Sequence, residues 1–196
     1  MLYVVPTPIG NLKDFTLRAI EVLKTVEIVI VEEKKVGERY LKFIGANPPR
    51  LEQLNEHSSS QDIERLVLLC KHHDCALISD AGTPNFCDPG ARLIEKLRQN
   101  RITITALPGP SSLTTLLALV SEPLSSFYFQ GFLPQENQTR RRVWQQLNQR
   151  SEAFIVMDTP YRLLKTLQEA QLYLGNERKV LLGINLSTPE EHIIEG

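Results

Sequence analysis

Cys75-Ala-Leu-Ile-Ser-Asp-Ala-Gly-Thr-Pro84 places a short apolar run directly ahead of a loop of aspartate, glycine and proline. That order is expected of a buried parallel strand ending in a turn. The arrangement recurs on both sides. Leu2–Val5 runs into Pro6-Thr-Pro-Ile-Gly10, and Ile102–Leu107 runs into Pro108-Gly-Pro-Ser-Ser112, while Glu27–Val31 is a fourth β-branched run. Helical patterns lie between them. In Phe15–Val26, Leu17, Ile20, Val22 and Leu23 fall at roughly helical spacing, with Asp14 read as N-cap. Ser59–His73 opens with the capping-box pattern Ser59-x-x-Asp62 and sets Ile63, Leu66, Val67 and Cys70 on one side. Ser111–Val120 is a third helix. Strand and helix in alternation predict an α/β fold with a mainly parallel sheet.

Near Ser125 the pattern changes to an aromatic strand, Phe127-Tyr-Phe-Gln-Gly-Phe132, and then to the polar run Gln135–Thr139, read as a linker. Beyond it the sequence predicts a helix around Arg140–Gln149, a strand Ala153–Met157, a helix Tyr161–Leu174, a strand Lys179–Asn185 and a last segment Glu191–Ile194. Two lobes follow, residues 1–124 and a smaller α/β lobe over 125–196 that the absence of a further strand marks as a candidate truncation.

The 196 residues are 42% hydrophobic, enough for a sizeable core, and the 22 Lys+Arg nearly balance the 23 Asp+Glu. Nucleic acid would therefore have to be met by a local basic patch and not by the field of the whole molecule. The N-terminus lacks a basic segment followed by an apolar one, and no window approaches the ~18 apolar residues of a membrane span. Three cysteines without a disulfide pattern fit a reducing compartment. The expectation is a cytoplasmic protein with no membrane contact.

Ligands of open α/β sheets lie outside the carboxyl ends of the strands, so three Gly/Pro loops at strand ends are able to surround one pocket. Each alone reads equally as an ordinary turn, and none is a phosphate-binding fingerprint. Together they are more specific. Ser79-Asp-Ala-Gly-Thr-Pro84 with Asp88-Pro-Gly90, Pro6-Thr-Pro-Ile-Gly-Asn-Leu12, Leu107-Pro-Gly-Pro-Ser111, Gly131-Phe-Leu-Pro134 and Thr159-Pro-Tyr-Arg162 occur in this order. They resemble the tetrapyrrole methylase superfamily, in its small-subunit ribosomal RNA ribose-methylating branch.

The resemblance implies a two-lobed tetrapyrrole-methylase-like fold, S-adenosylmethionine as methyl donor in a cleft between lobes, RNA as substrate, a homodimer and no metal. Carried over by position, donor contacts fall on Pro8, Asp80, Ala81, Gly82, Thr83, Pro84, Gly109, Pro110, Ser111 and Ser112. Met157, Asp158, Gly183, Ile184 and Asn185 complete the set. Methyl transfer from a sulfonium depends mainly on positioning, but a ribose hydroxyl benefits from a general base or a polarising cation. Glu32, Glu33, Lys35, Glu56 and His57 are the candidates. The chain departs from the family here. Glu32-Glu-Lys-Lys35 stands where the ribosomal RNA branch carries Glu-Asp-Thr-Arg, and Ile184-Asn-Leu-Ser-Thr188 where it carries Arg-Glu-Leu-Thr-Lys. Glu56-His57 matches the family pair, with Ser58 in place of asparagine. A changed acceptor and donor binding without efficient turnover both fit. So does a small or tetrapyrrole-like acceptor.

Three further features have competing readings. Cys70-Lys-His-His-Asp-Cys75 has metal-ligating residue types but no zinc spacing, and His72 and His73 suit a helix's last turn. Arg140-Arg-Arg142 is either a solvated helix face or, with Lys34 and Lys35, a set of phosphate contacts. Phe127, Tyr128, Phe129 and Phe132 read as packing, with base stacking as the alternative.

Overall fold

The protein is described by a computed structural model covering residues 1–47, 50–175 and 178–196. Two compact units emerge, one of Met1–Leu119 with Ile184–His192, the other of Val120–Gly183 with Ile193–Gly196.

The first unit is built on β1 (Leu2–Val4), β2 (Ile28–Val31), β3 (Arg50–Gln53), β4 (Cys75–Leu77) and β5 (Ile104–Ala106), in the order β3-β2-β4-β1-β5. All four pairings are parallel, with Leu2 level with Cys75 and Ile104, and Ile28 level with Cys75 and Arg50. The fold class is thus the expected one. β2 and β4 are buried on both faces, as the central strands of a helix-covered sheet must be. One face packs Val5, Val29, Val31 and Ala76 against α1 (Leu17–Thr25) and α2 (Lys34–Ile44). The other packs Leu2, Ile28, Ile30 and Leu77 against α3 (Ser60–His72) and α4 (Ala91–Gln99). Gly37 lets α2 lie close, since a Cβ there would stand 2.5 Å from Val31 Cγ1.

α3 begins as the sequence predicts, with both halves of the Ser59/Asp62 capping box formed. α1 does not. Thr16, whose hydroxyl accepts from the Ala19 N–H, is its N-cap, and Asp14 ends a separate 3-10 turn, Leu12–Asp14. α5 (Ser112–Leu117) is shorter than its expected span.

The second unit pairs β6 (Phe127–Phe132) in parallel with β7 (Ala153–Met157). The polar run expected as a linker instead starts a helix: Glu136 accepts from the Gln138 and Thr139 N–H groups and caps α6 (Asn137–Asn148). Trp144, Leu147 and Leu133 form its small core, backed by α7 (Leu163–Leu174). Arg140 is 1% exposed, which removes it from the expected phosphate contacts. Its guanidinium donates to Glu169 at 2.6 Å, to Asp158 at 3.3 Å and to Thr166 at 2.5 Å. The last strands, β8 (Leu181–Ile184) and β9 (His192–Glu195), pair with each other, and the Val180 and Gly196 backbones exchange hydrogen bonds.

Candidate active site

Parallel strands deliver all their loops to one edge, and in the first unit those loops are tied to one another. Behind β1, Thr7 forms an isolated antiparallel bridge with Gly82 behind β4, with N–H to O distances of 2.9 and 3.1 Å. Gly82 sits at φ +82°, a left-handed conformation that costs a residue with a Cβ. The Thr7 hydroxyl donates to the Ser79 carbonyl at 3.0 Å and the Ser79 hydroxyl to the Gly82 carbonyl at 3.1 Å. The third loop joins through the Thr83 hydroxyl, which donates to the Pro110 carbonyl at 3.2 Å. A Cβ on Gly109 would stand 2.7 Å from Pro6 Cβ, so the loops behind β1 and β5 touch backbone to ring. Pro8, Asp80, Ala81, Gly82, Thr83, Pro84, Gly109 and Pro110 therefore belong to one braced assembly, with Ser111 as N-cap and Ser112 as first residue of α5.

A residue that the sequence reading missed holds this assembly from below. Tyr40 of α2, 3% exposed, stands edge-on to Phe15, and its hydroxyl donates to the Asp80 carbonyl at 2.5 Å, with the Pro8 carbonyl at 3.4 Å. Nothing in the local sequence marks it. Tyr40 lines a cavity of about 360 Å³ with Pro8, Ile9, Gly10, Leu12, Arg39, Asp80 and Ala81.

Asp80 is shared with a second, open cavity of about 710 Å³, which gathers Glu32, Glu33, Lys34, Lys35, Glu56 and His57. All five residues singled out for catalysis thus face one space. Gln53, Asn55, Cys87 and Pro89, not singled out, complete it. The sheet order explains the gathering, because β2 lies between β3 and β4 and the three loops behind them are neighbours. Asp80 Oδ1 accepts from the Glu33 N–H at 3.2 Å, and the Gln53 amide donates to the Glu32 carbonyl at 3.0 Å. Asn55 accepts from the His57 N–H at 3.0 Å, and the Ser58 hydroxyl accepts from the Asn55 N–H at 3.0 Å, a closed turn that presents Glu56 and His57 to solvent.

Three carboxyls here are harder to ionise than usual. Burial, then the charges of Asp88 and Asp80, raise the pKa of Glu32. Burial raises Asp88 and the nearby Asp80 charge adds to it, against a hydrogen bond from Ser79. Asp80 is raised by burial and by the Glu33 charge, against the Glu33 N–H. Raising a carboxyl in this way makes it a better proton acceptor than an ordinary aspartate or glutamate.

The remaining expected donor contacts are not among the lining residues of the two cavities. Asp158, on the second unit, has its carboxylate taken up by Arg140, Thr166, Arg162 Nε at 2.7 Å and the Thr159 N–H at 2.9 Å. Met157 ends β7, and Gly183 and Ile184 are in β8. Asn185 adopts a left-handed conformation at φ +51° and accepts from Thr188 through its carbonyl. The neighbouring Ser187, which belongs to the first unit as Asp14 does, hydrogen-bonds Asp14 through its hydroxyl. Among the described residues no cluster of metal-ligating side chains is present, and Cys70 and Cys75 are core residues.

The profile of the Tetrapyrrole (Corrin/Porphyrin) Methylases matches residues 1–196. The chain is 37% identical over 193 residues to the ribosomal RNA small subunit methyltransferase I of Escherichia coli O157:H7, covering 98% of this chain and 67% of that one. It is 34% identical over 198 residues to the protein of the same name from Synechocystis, covering 100% and 70%. Among solved structures, the uroporphyrin-III C-methyl transferase from Thermus thermophilus, complexed with S-adenyl homocysteine, has a TM-score of 0.67 at 19% identity, over 100% of this chain and 87% of that one. The methyltransferase CobJ reaches 0.69 at 14% identity, over 100% and 85%. At such identities the structural likeness speaks for the fold.

Proposed function

The chain belongs to the tetrapyrrole methylase family, and on that premise we propose that it is a methyltransferase that uses S-adenosylmethionine to methylate a ribose hydroxyl of small-subunit ribosomal RNA. The observation that carries this reading is the braced assembly behind β1, β4 and β5, found in a chain 37% identical to a small-subunit ribosomal RNA methyltransferase. The residues fit the donor. The 360 Å³ cavity beside Asp80 is of ligand size, its wall is apolar along Pro8, Ile9 and Leu12, and it is lined by one acidic and one basic side chain, Asp80 and Arg39, for a ligand that carries both an ammonium and a carboxylate.

When bound, S-adenosylmethionine supplies an activated methyl group. The chain's own residues hold and prepare the acceptor. Glu32, raised by burial and by Asp88 and Asp80, takes the proton from the ribose hydroxyl as the oxygen becomes nucleophilic. Lys34 and Lys35, in the same cavity, stabilise negative charge gathering on that oxygen and meet the adjoining phosphate. Tyr40 keeps Asp80 and Pro8 at a fixed separation.

The test is transfer of labelled methyl from S-adenosylmethionine to purified small ribosomal subunits and to their naked RNA, with nuclease mapping of the product. Label in a ribose-methylated nucleotide supports the reading, and no label in either RNA sinks it. A second reading, donor binding without turnover, is favoured by the uncharged Asn185-Leu-Ser-Thr188 segment. Calorimetric binding of S-adenosylmethionine together with no label in any acceptor would select it.

A further inference from the structure

Tyr161 is 98% exposed, the most exposed of the large apolar and aromatic side chains, yet its backbone is held firmly. It sits in the middle of the 3-10 turn Pro160–Arg162, which runs directly into α7. On one side the Thr159 N–H binds Asp158 at 2.9 Å. On the other, Arg162 pairs with Asp158 at 2.7 Å and donates to the Leu133 carbonyl at 3.2 Å. Asp158 is in turn fixed by the buried Arg140. A fully exposed ring on an over-determined turn loses little further freedom when a flat partner settles on it.

The turn is continued by cations. Lys165, in the first turn of α7, follows Tyr161 by four residues, and both side chains are exposed. Its ammonium donates to Asn137 at 2.7 Å, and Arg141 stands four residues after Asn137 along α6. Lys165 and Arg141 are exposed, and among the described residues neither forms an ion pair. An exposed aromatic ring followed within a turn by an exposed cation, with a second exposed cation on α6, is the chemistry that receives an unpaired base and its flanking phosphates.

We propose that Tyr161, Lys165 and Arg141 form an RNA contact on the second unit, distinct from the two cavities of the first: one unpaired base stacks on the Tyr161 ring, and Lys165 and Arg141 meet the phosphates beside it. The proposal rests on the reading of the chain as an RNA methyltransferase and adds where that RNA is gripped. A buried Arg140 next to an exposed Arg141 separates the two roles that the arginine triplet leaves open in the sequence.

The experiment measures the affinity of the full chain for a fluorescent single-stranded fragment of small-subunit ribosomal RNA, across a salt series, alongside calorimetric S-adenosylmethionine affinity and sedimentation. Tyr161→Ala is expected to weaken RNA binding between about 5-fold and 140-fold, the range of one lost stacking contact. Tyr161→Phe, which keeps the ring, restores affinity to within about twofold. Lys165→Gln with Arg141→Gln lowers the slope of log K against log salt by about 1.4, two single-strand phosphate contacts. Donor affinity stays at the wild-type value throughout. Wild-type RNA affinity in Tyr161→Ala overturns the proposal and leaves the methyltransferase reading intact. A Tyr161→Ala protein that binds RNA normally but sediments as a smaller species assigns the patch to self-association and also overturns it. A wild-type chain with no RNA affinity overturns proposal and reading together.

Discussion

Arg140→Met removes a charge while keeping an unbranched side chain of similar reach, and the structure makes its cost large. The guanidinium is 1% exposed, and the Asp158 and Glu169 side chains it joins are 5% and 20% exposed. Glu169 also accepts from Trp144 Nε1 at 2.9 Å, so the same carboxylate orients the core indole. Without Arg140, Glu169 loses its cation while Asp158 keeps Arg162 at 2.7 Å, so the loss falls at the lower end of the about 3 to 5 kcal/mol of a broken buried pair, where an exposed pair would lose at most about 1 kcal/mol. Trp144 is the chain's one tryptophan and lies in the second unit, so its fluorescence during urea unfolding reads that unit alone. A loss under about 1 kcal/mol would show that the network is solvated and that the burial argument fails. The pH dependence follows the same logic. Asp158, which burial alone would raise, is held below the ordinary aspartate value by Thr166, the Thr159 N–H, Arg140 and Arg162. A depressed folded-state pKa contributes stability that is present above the unfolded value of about 3.9 and is lost as pH falls through the folded one, so the wild-type second unit weakens in that acid window.

The carboxyls with raised pKa values give the opposite sign. Glu32 and Asp88 have raised pKa values in the folded protein, so their ionisation opposes folding above the unfolded carboxylate values of about 4. Asp88→Asn is expected to raise the melting temperature at pH 7 and leave it unchanged at pH 3, and to move the acid limb of the methyl-transfer rate to lower pH. Glu32→Gln is expected to reduce that rate by about 10² to 10⁴ with donor affinity preserved, measured in single-turnover assays. Gly82→Ala places a Cβ at φ +82° and 3.3 Å from Ile9 Cγ2, a cost of about 1 to 2 kcal/mol that calorimetric melting reads, with weaker S-adenosylmethionine binding by titration. Tyr40→Phe deletes the hydroxyl that binds Asp80 and Pro8, about 0.5 to 1.5 kcal/mol, and is expected to raise the KM for donor while leaving the KM for RNA unchanged.

The parts of the fold that show in the sequence are those whose burial writes a pattern. β2 and β4 are apolar throughout because both faces are covered, and the Ser59/Asp62 box announces α3. β3 is Arg50-Leu-Glu-Gln53, an edge strand whose exposed residues break any alternation, so nothing in its composition separates it from a loop. α4 shows its buried Leu93 and Leu97 four apart but lacks a side-chain cap, since Gly90 precedes it, so the sequence carries no signal for where it starts. In the site, the glycine and proline loops are legible because backbone contacts demand those residue types. The clustering of Glu32, Asp80 and Asp88 is not, because it exists only once β2 and β4 lie side by side. The buried state of Arg140 is likewise set by Asp158, Thr166 and Glu169, none of them near it in sequence.

The departures from the family's charged positions have a local physical account. At 184–188 the chain exchanges formal charge for short hydroxyl ties: Ser187 to Asp14, and Thr188 to the Asn185 carbonyl at 2.9 Å. Gly10 permits the fit, since a Cβ there would lie 2.5 Å from Thr188 Cγ2 and 2.7 Å from the Leu186 carbonyl. The segment is thereby held against the loop behind β1 without a cation or carboxylate of its own. At 32–35 the exchange differs, because carboxylates remain while lysine replaces arginine. Lysine offers a compact charge on a flexible stem in place of a planar fork, so it retains attraction for phosphate and loses bidentate geometry. On the proposed reading, in which Glu32 takes the proton, the altered segments retain that carboxylate and change the groups that would recognise the acceptor. If the acceptor has changed, this chain should therefore turn over its RNA with loosened site selectivity before it loses the capacity for methyl transfer.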